Sequence, residues 1–150
     1  MNLARLITIV ALGIFLVVGS VPYPTITAPD WTLNVVDPSG APIKGALVRE
    51  IYRNYSADSD DHIVDEESDA YGRAHFASLT TSASWIRRII GTLSSDTPFV
   101  STGPKAYVVV FLGRESNMAI LKGGNPIWEG SPPSVRSTVV LVPLDSSGGQ

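Results

Sequence analysis

The chain of 150 residues has room for one domain, and it contains no cysteine, which excludes disulfides, thiolate catalysis and cysteine zinc sites. Its net charge of −3 comes with no basic stripe interleaved with aromatic residues, so the sequence predicts no nucleic-acid partner. Seven of the fourteen acidic residues lie between Asp58 and Asp69, which makes one segment strongly acidic. The absence of disulfides favours a bacterial envelope protein over a secreted eukaryotic one.

The N-terminus carries an export signal. Arg5 precedes an unbroken apolar run, and Val18-Gly19-Ser20 offers permitted residues for cleavage after Ser20. The alternative is an uncleaved anchor, for which residues 6–21 would span about 24 Å of a hydrocarbon core of about 30 Å. In both cases Arg5 keeps the N-terminus in the cytoplasm. We therefore predict an exported domain, periplasmic or extracellular, with residues 6–21 as an inner-membrane anchor if they are retained.

Composition and the positions of proline and glycine divide the rest of the chain into a spacer, a domain and a tail. Residues 21–29 are rich in proline and are predicted to be an extended spacer after the signal peptide or anchor of residues 1–20. Residues 30–144 form the domain, and residues 145–150 are predicted to be a flexible tail. β-Branched and aromatic residues dominate the apolar segments, and 11 prolines and 13 glycines separate them. This pairing favours an all-β fold.

The first strands are marked by alternation. Trp31, Leu33 and Val35 fall on one face of a half-buried strand, and the turn chemistry of Asp37-Pro38-Ser39-Gly40 ends it. Further strands are predicted at residues 46–55, 73–79, 106–112 and 135–144, with an edge hairpin at 118–121. Residues 82–93 fit helical spacing better than alternation, so a short helix and an irregular β-edge both remain open.

Two segments resemble a known family. They are strand–turn–strand from Asp37, Gly40, Pro42, Ile43, Gly45 and Ala46 to Val48, and turn–strand from Asp69 and Gly72 to Phe76. With this pattern, about half of the mature chain resembles the carboxypeptidase regulatory-like domain, a transthyretin-like β-sandwich. The resemblance implies an all-β, seven-stranded Greek-key sandwich that acts as a non-catalytic envelope module. The catalytic hydroxyisourate hydrolases of the transthyretin-like group end in Tyr-Arg-Gly-Ser, which this chain lacks.

The acidic segment has enough carboxylates for a calcium site. The candidate ligands are Asp58, Asp60, Asp61, Asp65, Glu66 and Asp69. The EF-hand pattern fails, since His62 stands at the fifth position and Ile63 at the sixth, where glycine is required. The alternative is a solvated, partly disordered loop with a brief strand at Ile63 and Val64. We predict no cofactor.

Two apolar sites are candidates for ligand or partner contact. Trp128 lies in a proline-flanked loop, where it would either stack on a sugar or plug one end of the sandwich. Trp85, Arg87 and Arg88 lie on an amphipathic segment. That segment would contact a membrane surface or acidic partner, pair its arginines with the acidic segment, or pack on the sandwich with both arginines in water.

These observations predict a non-catalytic, exported β-sandwich module that binds or supports another envelope component, either a protein or a glycan. A glycan-binding module is the first alternative. A small periplasmic hydrolase is the second, and it would require a pocket that places His62 or His75 beside carboxylates.

Overall fold

The computed structural model describes residues 2–94, 103–112, 117–118, 120–121 and 126–142. Within these ranges the chain forms two helices and eleven strands. The helices are α1 (Leu3–Ser20) and α2 (Trp85–Ser94). The strands are β1 (Pro22–Ala28), β2 (Asp30–Val36), β3 (Leu47–Asn54), β4 (His62–Glu67), β5 (Arg73–Phe76), β6 (Leu79–Ser84), β7 (Pro104–Leu112), β8 (Asn117–Met118), β9 (Ile120–Leu121), β10 (Ile127–Trp128) and β11 (Ser134–Val142).

The strands are arranged in three sheets. The largest has the order β10-β7-β3-β4, with β8 also paired to β7, and the second has the order β5-β2-β11-β9. The third is the pair β1-β6. All pairs are antiparallel except β2 and β11, which are parallel from Asp30 beside Ser134 to Val36 beside Val140. The chain is therefore sheet-rich, as predicted, with an apolar helix at its N-terminus.

The core lies between the two larger sheets. The predicted alternation along β2 is confirmed, since Trp31, Leu33 and Val35 are buried and the residues between them are partly exposed. Val108 and Val110 on β7 and Leu141 on β11 belong to the same apolar cluster. The strand predicted at residues 106–112 is also confirmed as β7, which pairs with β3 on one side and with β10 and β8 on the other.

The predicted turns form as their residues require. Asp37 Oδ1 accepts hydrogen bonds from the backbone N–H of Ser39 and Ala41, and Gly40 has a φ of 88°. Asp69 closes the second turn in the same way. Its Oδ1 accepts from the N–H of Tyr71 and of Arg73, each at 2.8 Å. These bonds lower the pKa of the Asp69 carboxyl, with the bond from Arg73 as the largest cause.

The predicted spacer is part of the sheet structure. Residues 22–28 are extended, as expected, but they form β1, which pairs with β6 and buries Thr27 and Ala28. We expected seven strands, and the described residues contain eight of four or more residues, β1 among them. Because β1 runs into β2 and β5 into β6, the four strands form one two-stranded ribbon. Its paired residues include Asn34 and Arg73, Trp31 and Phe76, Ala28 and Leu79, and Pro22 and Ser84.

Three other segments differ from the predictions. The acidic segment is not a solvated loop throughout, since its second half is β4, paired with β3 from Tyr52–His62 to Leu47–Glu67. Residues 118–121 do not form a hairpin, because β8 pairs with β7 and β9 pairs with β11. The strand predicted at 73–79 ends at Phe76. Of the two alternatives for residues 82–93, the helix is the dominant one. Residues 95–102, the end of the last predicted strand and the predicted tail at 145–150 lie outside the described residues.

Candidate membrane interface

The N-terminal helix has the properties of a membrane span. α1 is 18 residues long and apolar enough to cross a membrane by length and composition. At 1.5 Å per residue it measures about 27 Å, close to the thickness of a hydrocarbon core. A signal sequence has the same length and composition. The helix alone is therefore compatible with both an anchor and a signal peptide.

The ribbon brings the end of α1 beside the start of α2. The chain leaves α1 at Ser20, enters β1, and returns through β6 into α2 at Trp85. Pairing of Pro22 with Ser84 fixes the two helix ends next to each other. A β-carbon built on Gly19 would lie 3.2 Å from Ile86 Cγ1, so the absence of a side chain at Gly19 allows the close approach.

α2 begins at a serine cap and exposes an apolar face. Ser84 Oγ accepts a hydrogen bond of 3.2 Å from the N–H of Arg87, which satisfies one of the free donors of the first turn. Trp85 and Leu93 expose 59% and 75% of their surface, and Ile89 and Ile90 between them are also exposed. Large apolar side chains clustered on one exposed helix face are typical of a surface that contacts a partner or a membrane.

An aromatic pair stands where α1 meets α2. The rings of Tyr23 and Trp85 are tilted with centroids 5.6 Å apart. Tyrosine and tryptophan are enriched at the boundary between the hydrocarbon core and water, because one end of each side chain is apolar and the other is polar. Tyr23 lies three residues after the end of α1, and Trp85 is the first residue of α2. If α1 spans a membrane, the boundary with water would fall at this pair.

Arg88 lies on the inner side of α2. One of the three alternatives placed both arginines in water, and it fails for Arg88, which is only 8% exposed. Its Nη1 donates to Ser56 Oγ at 3.2 Å, its Nη2 donates to Thr25 Oγ1 at 2.8 Å, and its guanidinium lies 4.6 Å from the Tyr23 ring centroid. Arg88 thus ties α2 to β1 and to the segment after β3. Helical spacing did not show which of two adjacent arginines would face the body.

Arg87 is the exposed member of the pair. Its Nε donates to the carbonyl oxygen of Ala57 at 3.0 Å, so the side chain contacts the start of the acidic segment through a backbone carbonyl and not through a carboxylate. A cavity of about 340 Å³ lies beside it, lined by residues that include Arg53, Tyr55, Asp58 and Gly91. Arg87 therefore remains available to headgroups or acidic partners at the edge of the apolar face.

The structure separates the calcium candidates. Asp65 makes a bidentate pair with Arg49, with distances of 2.7 and 2.8 Å, and this hydrogen bonding lowers the pKa of Asp65. Asp58 Oδ2 accepts from the backbone N–H of Asn54 at 2.9 Å. Asp61 lies 3.7 Å from Arg53. Among the described residues no group of three or more histidine, aspartate or glutamate side chains is placed to hold a metal ion.

The other three calcium candidates lie in different elements of local structure. Asp69 caps the turn before β5, Asp60 is exposed in the bend before β4, and Glu66 is on β4. The calcium hypothesis required these carboxylates to lie close together, and it assumed that the segment is a loop. A strand carries successive side chains to opposite faces, so it cannot converge them on one ion.

Trp128 plugs the core. Only 2% of its surface is exposed, and its Nε1 donates to the carbonyl oxygen of Pro132 at 2.6 Å. A ring that is buried on both faces has no surface to stack on a sugar, so Trp128 is not a glycan platform in this conformation. Of the two readings of Trp128 in the sequence, burial in the core is the one that fits.

Sequence reasoning missed Gly19, Tyr23 and Glu50. Gly19 and Tyr23 contact α2 because β1 pairs with β6, and no local pattern predicts this pairing of distant segments. Glu50 had a signal, since it falls on the same face of its strand as Val48 and is fully buried there. A carboxylate in phase with buried valines is an unusual group in a core.

Comparison of the chain with family models, with curated proteins and with solved structures found no match. Its functional assignment therefore depends on the geometry of its own residues.

Proposed function

We propose that this chain is an exported β-domain that α1 holds at the membrane, with the apolar face of α2 against the bilayer surface, and that it binds or supports another envelope component without catalysing a reaction. The observation that carries the proposal is the packing of Gly19 against Ile86. It puts the exposed face of α2 at the end of a helix long enough to span a membrane.

The side chains of α2 suit the boundary of a bilayer. Trp85, Ile89, Ile90 and Leu93 are exposed to water in the isolated chain. Burying an apolar side chain of this size contributes about 1.5–3 kcal/mol when burial is complete, so even partial insertion of four of them is strongly favourable. Arg87 at the edge of the face supplies a positive charge for lipid phosphates.

The same contact favours retention of α1. Cleavage after Ser20 would remove Gly19 and uncover Ile86 as well as the exposed face of α2. The free domain would then carry an apolar patch in water, which is a liability for a soluble protein. An uncleaved α1 leaves that patch at the membrane, where it is stable.

The resemblance to carboxypeptidase regulatory-like domains suggests that the β-domain acts as a scaffold. Two capped turns with glycines at positive φ, at Gly40 and Gly72, support this family, and so do two sheets that share one apolar cluster. We infer a Greek-key sandwich on this basis. In such a fold the turn and strand residues serve as a scaffold, and binding takes place on the surface.

Membrane extraction of the full-length protein tests the anchor. We expect the chain in the membrane fraction, resistant to alkaline carbonate, with an intact mass that includes residues 2–20. A soluble form that begins at Val21 would overturn the proposal. The control Gly13→Ala adds a β-carbon that would meet no side chain and no backbone from outside α1 within 4 Å, and it should change neither result.

In-cell crosslinking tests the binding role. A photoreactive residue at Ile63 on exposed β4 should capture an envelope component, while one at Leu93 on α2 should capture lipid. If position 63 yields no protein or glycan above background, the supporting role is wrong even when the anchor is intact. The two positions thus separate the two parts of the proposal.

A further inference from the structure

A buried carboxylate on β3 is independent of the membrane interface. Glu50 has 0% of its surface exposed, and neither carboxylate oxygen has a hydrogen-bond partner. Burial raises the pKa of Glu50 to about 7. A buried polar group without a partner destabilises the folded chain, and more so when it is charged, so its presence calls for a physical reason.

Glu50 lines a cavity between β4 and β5. The cavity has a volume of about 360 Å³, and its other lining residues are Val64, Glu66, His75, Phe76, Ala77 and Leu79. Glu50 pairs directly with Val64, and Val48 pairs directly with Glu66. Directly opposed residues of an antiparallel pair share a face, so Glu50 and Glu66 both lie on the face that β3 and β4 turn toward the core.

The two carboxylates set the charge of the cavity. His75 also lines the cavity, so the pocket that places a histidine beside carboxylates, as the hydrolase alternative requires, is present. The imidazole is on the exposed side of β5 and lies 3.5 Å from Asp30. Tyr52 follows Glu50 on the same face of β3. Burial raises the pKa of Tyr52, and the charges of Glu50 and Asp58 raise it further. Tyr52 is thus held in its neutral form, and the described groups give Glu50 no fixed cation.

We propose that this cavity binds a small organic ammonium ion with an apolar body, whose charged nitrogen is held by Glu50 and Glu66 and whose hydrocarbon part packs on Val64, Phe76 and Leu79. Two carboxylates disfavour an anionic ligand, and the apolar walls disfavour a fully hydrated ion. Because the Glu50 oxygens are withdrawn from solvent, the ligand has to displace the side chains that cover them.

The size of the cavity limits the ligand. Pockets of about 300–1,000 Å³ hold small organic molecules, and this cavity is at the lower end of that range. For an amine of roughly ten heavy atoms, the affinity typical of a small ligand corresponds to a dissociation constant of about 1 mM. Such an affinity is weak but measurable.

Ligand-observed NMR with the full-length protein in detergent tests the site. The probes are 2-phenylethylamine and cyclohexylamine at pH 8, each compared with its neutral counterpart, 2-phenylethanol or cyclohexanol. We expect the amines to bind at about 1 mM and the alcohols at least about tenfold more weakly. Glu50→Gln should weaken amine binding about tenfold and Glu66→Gln about threefold, because each removes one charge–charge contact.

Glu67→Gln is the matched control. Glu67 is the next residue on β4 and pairs with Leu47, so it lies on the opposite face, and its substitution should change amine affinity less than about twofold. A thermal melt of each variant shows that it is folded, and the amine should raise the melting temperature of the wild type but not of Glu50→Gln. Equal binding of amines and alcohols, no binding at about 10 mM, or unchanged binding in Glu50→Gln would overturn the proposal.

Discussion

Gly19 in α1 and Ile86 in α2 are 67 positions apart in the chain, yet a β-carbon on Gly19 would stand 3.2 Å from Cγ1 of Ile86. The β1–β6 pairing creates this contact, since it returns the chain to the point at which it left α1. The contact links the part of the chain with a membrane-spanning composition to the part with an exposed apolar face.

A cysteine pair tests this relationship. The chain has no native cysteine, so the double variant Gly19→Cys, Ile86→Cys carries only the two introduced thiols. Their β-carbons should lie within about 5 Å, close to the range for a disulfide. We expect oxidation in membranes to protect both thiols from a maleimide-polymer reagent. The control Gly13→Cys, Ile86→Cys moves the first thiol about 9 Å along the helix and should remain reactive.

Trp85 reports the position of α2. Trp31 and Trp128 are buried in the core, while Trp85 is exposed beside Tyr23. Lipids brominated near the headgroup should quench part of the tryptophan fluorescence of the reconstituted protein, and Trp85→Phe should abolish that quenching. Quenching that persists in Trp85→Phe, or none in the wild type, would show that α2 is not at the bilayer. The proposal that α1 is a membrane anchor would be unaffected by that result.

Arg88 should matter more for stability than Arg87. Arg88→Met removes the hydrogen bonds that Arg88 donates to Thr25 Oγ1 and Ser56 Oγ, and we expect it to lower the free energy of unfolding by about 2–3 kcal/mol. Arg87→Met, on the exposed side, should cost less than about 1 kcal/mol. Urea unfolding of the full chain in detergent measures both. Equal losses would mean that Arg88 contributes through the bulk of its side chain alone.

Glu50 should make stability depend on pH. Burial raises the pKa of Glu50 from 4.5 to about 7, so between these values the folded chain holds a proton that the unfolded chain has released. The free energy of unfolding should therefore fall as pH rises from about 4.5 to 7, by about 3 kcal/mol at most. The loss is complete above pH 7 and absent at pH 4.

Glu50→Gln removes the titration. We compare the free energy of unfolding of Glu50→Gln with that of the wild type by urea unfolding at pH 4 and pH 8. The difference should favour the variant more at pH 8 than at pH 4. Glu129→Gln, which changes an exposed carboxylate paired with Lys105, should shift the same comparison by less than about 1 kcal/mol. A difference for Glu50→Gln that is independent of pH would mean that the carboxyl keeps one protonation state throughout.

Alanine substitutions at Gly40 and Gly72 distinguish the stability lost through a positive φ from the stability lost through a steric clash. Gly40 has a φ of 88° with no atom within 4 Å of a built β-carbon, whereas Gly72 has a φ of 72° and its β-carbon would stand 2.4 Å from the Val35 carbonyl oxygen. Gly40→Ala should cost about 1 kcal/mol, and Gly72→Ala should cost about 3 kcal/mol or more. Chemical denaturation gives both values, and similar losses would contradict the collision.

Local patterns predicted the parts of the fold that depend on neighbouring residues. The burial of Trp31, Leu33 and Val35 follows from alternation, and the turn at Asp37 follows from side-chain chemistry. The sequence indicated only a brief strand at Ile63 and Val64, because the other residues of β4 are polar and are ordered by pairing with β3. The environments of Arg88 and Trp128 were left open for a related reason, since burial of a side chain depends on which distant segment covers it.

The parallel pairing of β2 and β11 determines how the domain would respond to a pulling force. β2 begins on the side that leads back to α1, and β11 ends beside the far end of β2, where Val140 pairs with Val36. Tension between a membrane-fixed N-terminus and a load attached beyond Val142 would therefore slide the two strands along each other. All of their hydrogen bonds would resist together instead of opening one at a time. A load attached at that end would therefore be opposed by the β2–β11 pair in shear.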